Sequence, residues 1–204
     1  MSISEVEVRN DVLWSGENPI IVLKPAADVM ETTAAGFFRV DFSPAGSGHA
    51  AFVISDLGGM GKSEDRVFAC YTDRIEIAEW IRATTIGTLP EFKNHDLSKI
   101  PIKIGRFASM GNTLSSWTEL VSTDDGEIRL TWFQIQAPFN LRVPVGAVAS
   151  IPCEINTILY PARHAEVVIN GRVAAGQVFP DQIGNQLHST AFLALSETWY
   201  KLAR

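Results

Sequence analysis

Cysteine is scarce in this sequence: 204 residues contain only Cys70 and Cys153. Each lies inside a run of residues typical of a β-strand, whereas disulfides are characteristic of small secreted scaffolds with many closely spaced cysteines. We therefore expect both side chains to be free thiols with a structural role.

A long apolar run and an excess of basic charge are also missing. No stretch approaches the ~18 to 20 consecutive apolar residues that span a bilayer, and the polar start at residues 1–5 lacks the basic and apolar regions of a secretory signal. Lys and Arg total 17 against 23 Asp and Glu, a net charge of -6, so the chain has no excess of cations from which to build a nucleic-acid groove. These absences predict a cytoplasmic protein with neither a membrane nor a nucleic-acid partner.

Several motifs that would indicate a cofactor or a familiar mechanism are absent as well. The four histidines at positions 49, 95, 164 and 188 are isolated, and no pair has the i, i+4 spacing that directs two ligands at one metal ion. No G-x-S-x-G sequence occurs, which argues against a serine hydrolase built on a nucleophile elbow. We expect no metal and no cofactor.

One segment imitates a phosphate-binding loop. Residues 56–63 read Asp-Leu-Gly-Gly-Met-Gly-Lys-Ser and follow a predicted strand, but Asp56 stands where the motif requires glycine. The chain then continues into the strand-like residues 66–71, so no helix follows to direct its backbone amides at a phosphate. The interpretation is a hairpin loop that binds no nucleotide.

Short stretches rich in Val, Ile, Phe and Trp, separated by Gly, Pro, Asn or Asp, predict a chain made mainly of strands. The predicted strands are Ile20–Leu23, Gly36–Phe42, Ala50–Leu57, Arg66–Thr72, Ile102–Met110, Ser116–Ser122, Glu127–Gln136, Val148–Tyr160, Ala165–Ile169, Arg172–Phe179 and Thr190–Tyr200. Eleven strands are too many for one flat open sheet. We predict a single all-β domain over residues 1–204, mostly antiparallel, as a closed or nearly closed barrel or a folded-over sheet.

Local signals add two hairpins and one helix. Asn170-Gly171 is the dipeptide favoured by a type I′ turn, and Asp124-Asp125-Gly126 marks a second turn. An apolar stripe predicts a helix from about Arg74 to Thr84 that flanks or plugs the sheet, with Asp73 as its cap.

Glu119 is the leading candidate for chemistry. Side chains alternate along a strand, so Trp117 and Glu119 share a face. A loop of two or four residues at 124–126 would place Trp132 beside them, whereas a three-residue loop would place Arg129 and Thr131 there instead. Burial among apolar groups keeps a carboxyl protonated, which makes it a proton donor. The alternative is a Glu119 that pairs with an arginine or ends a strand in water.

Two more carboxylates lie beside apolar residues and complete the predicted catalytic set. Alternation places Glu197 on one face of the last strand with Leu193, Leu195 and Trp199, and it aligns Asp56 with Phe52. Arg39, by contrast, is expected to be solvated or paired at the surface. Large aromatic residues with a polar edge suit an apolar ligand. The predicted substrate contacts are Trp117, Trp132, Trp199, Tyr71 and Phe52.

These features predict a cofactor-independent enzyme of the lyase, isomerase or hydrolase kind. Its substrate would be a compact hydrophobic molecule such as a terpenoid, epoxide or polyketide, with a protonated carboxyl as general acid in an apolar pocket. The alternative is a carrier that holds the same kind of molecule without chemistry. Catalysis requires a donor and an acceptor in one pocket, whereas a carrier needs a single orienting contact. A homodimer through an exposed sheet edge is compatible with either.

Overall fold

A computed structural model of the protein describes residues 11–147 and 153–201. Its strands are β1 (Asp11–Glu17), β2 (Ile20–Leu23), β3 (Thr33–Phe42), β4 (Gly48–Asp56), β5 (Arg66–Thr72), β6 (Ile102–Ile104), β7 (Arg106–Gly111), β8 (Ser116–Thr123), β9 (Gly126–Ile135), β10 (Phe139–Val143), β11 (Glu154–Ile169), β12 (Arg172–Val173), β13 (Pro180–Ile183), β14 (Gln186–Ser189) and β15 (Ala191–Lys201). One α-helix, α1 (Ile75–Thr84), and short 3-10 turns complete the described part.

The strands form one large, mostly antiparallel sheet in the order β6-β5-β4-β3-β1-β15-β11-β9-β8-β7, with only β5 and β6 parallel along that path. β1 and β2 lie end to end between β3 and β15, which makes a ring of hydrogen bonds. Strands β13 and β14 form a separate hairpin. The predicted all-β, folded-over sheet with one helix is confirmed.

The sheet folds over because β11 is long enough to belong to both of its halves. Its first part pairs with β15 and β10, and its second part pairs with β9, which continues the sheet to β8 and β7. A buried core fills the space between the halves. Its largest members include Phe37 from one half and Trp132 from the other.

A second core lies on the opposite face of the first half. There α1 and the segment that follows it cover the sheet, through buried residues such as Ile77, Ile81 and Phe92. The predicted cap of α1 is wrong: the N-cap residue is Arg74, which makes no capping side-chain bond. Asp73 instead accepts hydrogen bonds from the backbone N and Nδ1 of His49, at 2.8 and 2.6 Å. No helix in the described residues is long and apolar enough to cross a membrane.

The loop between β8 and β9 contains two residues, the even number needed to place Trp132 beside Trp117 and Glu119. Thr123 pairs with Gly126 across a two-residue loop, and Trp117 therefore lies opposite Trp132 while Glu119 lies opposite Leu130. The second predicted turn is also confirmed, because Ile169 pairs with Arg172 and both intervening residues have positive φ.

Several predicted strand boundaries are wrong. The strand predicted over 102–110 is broken at Gly105, and residues 154–169 form one strand where two were predicted. Of the strand predicted over 172–179, only Arg172–Val173 forms a strand, β12. β1, β10, β13 and β14 were not predicted, and residues 148–152 of the predicted strand 148–160 lie outside the described residues.

A β-bulge in β15 overturns the predicted face of Glu197. Ser196 has φ of 53°, and the register with β11 shifts between Asn156 and Ile158. The extra residue reverses the alternation. Leu193 and Leu195 therefore pack into the core between the halves, whereas Trp199 packs into the core under α1.

Asn170 offers a test of how the β11–β12 turn contributes to stability. Its φ is 52°, and its Oδ1 accepts a hydrogen bond from the backbone N of Glu127 at 2.9 Å. Asn170→Ala loses both the tolerance of positive φ and the bond, and we expect it to lower the free energy of unfolding by about 1 to 2 kcal/mol in urea titrations. Asn170→Gly keeps the tolerance of positive φ and loses only the hydrogen bond, so it should lower the free energy of unfolding by less than Asn170→Ala does. Equal losses in the two variants would contradict a conformational role.

Candidate functional site

Glu119 is fully buried and bonded to three neighbouring side chains. Trp117 donates from Nε1 to its Oε1 at 2.7 Å, Ser109 donates from Oγ to its Oε2 at 2.5 Å, and an amino group of Arg39 lies 3.4 Å from Oε1. Arg39 also pairs with Glu17. Arg39 thus joins Glu17 on β1 to Glu119 on β8, and of the two alternatives expected for it, solvated or paired, it is paired.

Desolvation dominates the electrostatics of Glu119. Burial raises the pKa of this carboxyl above its usual value, while the bonds from Ser109 and Trp117 and the charge of Arg39 oppose the shift. None of the four described cavities is lined by Glu119. The surroundings match the alternative of a carboxylate paired with an arginine, and the catalytic role of Glu119 stays a prediction.

Glu197 is buried beside Trp199, which belongs to the second core. Trp199 donates from Nε1 to its Oε1 at 2.6 Å. Burial raises the pKa of Glu197 to about 7, although bonds from Trp199, Thr157 and Asn18 oppose the shift. The predicted pairing of a buried carboxyl with a tryptophan is therefore present, but Glu197 lines none of the four described cavities.

Asp56 closes the loop that imitates a phosphate-binding motif. Its Oδ2 accepts a hydrogen bond from the backbone N of Gly61 at 2.5 Å. A single 3-10 turn at Ser63–Asp65 and then β5 follow the loop, so no α-helix begins there. The local geometry is that of a β4–β5 hairpin whose loop an aspartate stabilises.

The predicted aromatic contacts do not gather in one place. Trp132 and Phe52 are fully buried in different cores, and Trp132 donates from Nε1 to the carbonyl of Ile20 at 3.0 Å. Trp199 is buried in the second core, and Trp117 is partly exposed beside Glu119. Among the five, only Tyr71 lines a described cavity, of about 380 Å³.

Two adjoining cavities lie elsewhere, on either side of the separate β13–β14 hairpin. The larger has a volume of about 810 Å³, within the range of small-molecule sites, and the smaller has about 370 Å³. His188 and Ser189 on β14 line both cavities. The apolar residues of the larger cavity are Ala137, Pro138, Phe139, Pro161, Ala162, Val178, Pro180 and Leu187.

His188 is held between two phenylalanine rings. Its ring centroid lies 4.5 Å from that of Phe192 and 6.3 Å from that of Phe139. Burial lowers the pKa of His188 to about 4, although the nearby charge of Asp181 opposes the shift. The ring is therefore neutral near pH 7. Its Nδ1 is buried and has no hydrogen-bond partner among the described residues.

Glu91 lines the smaller cavity together with His188. Burial raises the pKa of Glu91, and the charge of Asp181 on β13 raises it further. Its Oε2 is buried and, like Nδ1 of His188, lacks a partner in the described part of the chain. Buried polar atoms are seldom left without a hydrogen bond, so two such atoms on groups that line one cavity suggest a site for a polar ligand group.

The two pKa shifts have opposite directions, as in an acid–base pair. A raised pKa favours a protonated carboxyl that can donate, and a lowered pKa favours a neutral imidazole that can accept. In the described residues, no group of three or more His, Cys, Asp or Glu is arranged to hold a metal ion. Cys70 and Cys153 are free and buried, as predicted.

Sequence reasoning missed this site because its elements give weak local signals. β13 and β14 have four residues each and are largely polar, and Glu91 lies in a loop between Pro90 and Pro101. The Gly184-Asn185 pair between the two strands was the one available sign of a hairpin. Nothing in the sequence indicated that β14 would meet residue 91.

No family model matches the chain, and no curated protein matches it. The assignment of a function therefore depends on the geometry of the site.

Proposed function

We propose that the protein is a cofactor-independent enzyme of the lyase or isomerase kind that moves a proton within a compact, largely apolar molecule. Glu91 is the proton donor and His188 the proton acceptor. The observation that supports this assignment is that both groups line one cavity and that burial shifts their pKa values in opposite directions, upward for Glu91 and downward for His188. A donor and an acceptor in one pocket is the feature that distinguishes acid–base turnover from simple binding.

The reaction follows from the two protonation states. Neutral His188 takes a proton from a carbon made acidic by an adjacent carbonyl, while Glu91 gives its proton to another atom of the substrate. If that atom is a carbon, the product is an isomer; if it is a hydroxyl oxygen, the products are an alkene and water. The enzyme is left with an imidazolium and a carboxylate, and proton transfer between them through solvent restores both groups.

The larger cavity would hold the apolar body of the substrate. Its walls are mainly proline, phenylalanine and aliphatic side chains, which suits a terpenoid, epoxide or polyketide. A carrier without chemistry remains the alternative, and the large cavity taken alone favours it. A carrier would bind the same molecules and leave them unchanged.

The remaining sequence-based expectations belong to this proposal. We propose that the enzyme acts in the cytoplasm on a free small molecule, without a membrane or nucleic-acid partner. A homodimer through an exposed sheet edge is compatible with it, since β6 and β7 end the sheet order in the described chain.

Deuterium exchange tests the proposal without a known substrate. The protein is incubated in D₂O with carvone, 2-tetralone or phenylpyruvate, and NMR follows the loss of the proton beside each carbonyl. An acid–base enzyme of this kind should accelerate exchange above the buffer rate for at least one compound. Binding of all three without acceleration would support the carrier instead, and neither binding nor acceleration would overturn both assignments.

A further inference from the structure

Arg163 lies at the wall of the larger cavity and is bonded there through one edge of its guanidinium group. Its Nε donates to the side-chain oxygen of Gln136 at 3.0 Å, and the amide nitrogen of Gln136 donates to the carbonyl of Gln134 at 2.9 Å. Both polar ends of Gln136 are thus occupied. The guanidinium is held by its Nε edge, which leaves its two terminal amino groups for another partner.

No carboxylate of the described chain neutralises Arg163. Arg39, Arg142 and Arg172 each form an ion pair with an acidic side chain, whereas no ion pair involves Arg163 among the described residues. Its terminal amino groups likewise make no hydrogen bond there. A planar cation with two free amino groups matches a carboxylate, which it can bind through two parallel hydrogen bonds.

The rest of the cavity is suited to apolar surface. Leu187, on the β13–β14 hairpin, lines the cavity and is 77% exposed, although a large aliphatic side chain gains free energy when it is covered. Phe139 and Val178 contribute further apolar wall. The cavity therefore presents apolar surface together with one oriented cation.

We infer that the larger cavity recognises compact apolar molecules that carry a carboxylate, with Arg163 as the carboxylate-binding residue and Gln136 as the residue that orients it. This rests on the proposed function, since it names the substrate class of the same site. It narrows the substrates from apolar molecules in general to apolar acids, whose carboxylate fixes the position of the molecule relative to His188.

The test compares two probes of nearly the same shape, the anion 2-naphthoate and the neutral amide 2-naphthamide, titrated calorimetrically into the protein. Wild type should bind 2-naphthoate ~10-fold more tightly than 2-naphthamide, as expected for a charge-assisted bond at a partly exposed site. Arg163→Gln should remove this preference and leave the affinity for 2-naphthamide unchanged. Arg129→Gln, which replaces an exposed strand arginine that lines none of the four described cavities, should keep the preference.

Equal affinities in wild type, or a preference that survives in Arg163→Gln, would overturn the inference, as would the failure of both probes to bind. Thermal unfolding of each variant checks that the fold is intact, and Arg163 is exposed, so its replacement should leave the fold in place. The outcome is separable from that of the proposed function. A preference for 2-naphthoate that depends on Arg163, without deuterium exchange, would support the ligand class and contradict the proposed enzyme activity. Deuterium exchange without this preference would support the enzyme activity and contradict the ligand class.

Discussion

His188→Gln should lower the rate of deuterium exchange by ~10²-fold or more, the usual contribution of a positioned acid or base. Glutamine keeps a polar group between the two phenylalanines, but it cannot accept and release a proton near neutral pH. The loss should appear in kcat rather than in KM, because the imidazole acts on the reacting proton and contributes little to holding the apolar body of the substrate.

Glu91→Gln should show a loss of similar size, for the matching reason that an amide cannot deliver a proton. His164→Gln is the control, since His164 is exposed and lines neither of the two adjoining cavities. Exchange at the wild-type rate in His188→Gln would exclude this imidazole as the base. Loss in the control as well would indicate a general effect of the substitutions on the fold.

The pH dependence of deuterium exchange follows from the directions in which burial shifts the pKa values of His188 and Glu91. Activity requires neutral His188, so the rate should fall on the acid side near pH 4, where this imidazole becomes protonated. It also requires protonated Glu91, so the rate should fall on the alkaline side above the usual range of a glutamate. An acid limb near pH 6.5, the ordinary pKa of histidine, would point to a different base.

The register of the sheet around Glu119 could be predicted because it depends on short-range rules. Alternation places Trp117 and Glu119 on one face, and the two-residue turn then places Trp132 opposite Trp117. The partner of Glu119 could not be predicted in the same way. Arg39 lies 80 residues earlier in the chain and reaches Glu119 only because the sheet folds over.

The bulge at Ser196 shows the limit of the alternation rule itself. One residue of positive φ shifted the later side chains of β15 to the other face, so Trp199 entered the second core and Glu197 lies bonded to it. Serine is not a characteristic residue of such a conformation, and the sequence carried no sign of it. The expectation of a buried carboxyl beside a tryptophan was still met, because residues 197 and 199 moved together.

The site around His188 depends on contacts that no local pattern encodes. Burial lowers the pKa of the His188 imidazole, which lies beside Phe139 and Phe192, and Phe139 belongs to β10, which sequence reasoning did not detect. No sequence pattern separated His188 from the other three histidines. Burial alone distinguished the one that can act as a base.

Glu197→Gln should gain roughly 3 kcal/mol of stability relative to wild type as the pH rises from 4.5 to 8. Between pH 4.5 and about 7 the folded protein binds a proton at Glu197 that the unfolded chain has lost. The stabilising contribution of Glu197 to the free energy of unfolding is therefore fully present below pH 4.5 and is lost as the pH rises through 7. The loss is about 1.4 kcal/mol for each unit of difference between the folded and unfolded pKa values. Glutamine does not ionise, so the variant escapes this loss.

The measurement is urea unfolding of wild type and Glu197→Gln at pH 4.5 and pH 8. The difference in unfolding free energy between the two proteins should change by roughly 3 kcal/mol between these pH values, in favour of the variant at pH 8. Glutamine can still accept the bond from Trp199, and any fixed cost of the substitution cancels when the two pH values are compared. Glu79→Gln, on the exposed side of α1, is the matched control. A difference that is the same at both pH values would show that Glu197 ionises as readily in the fold as in the unfolded chain, and its burial would then have to be relieved by water or by a cation.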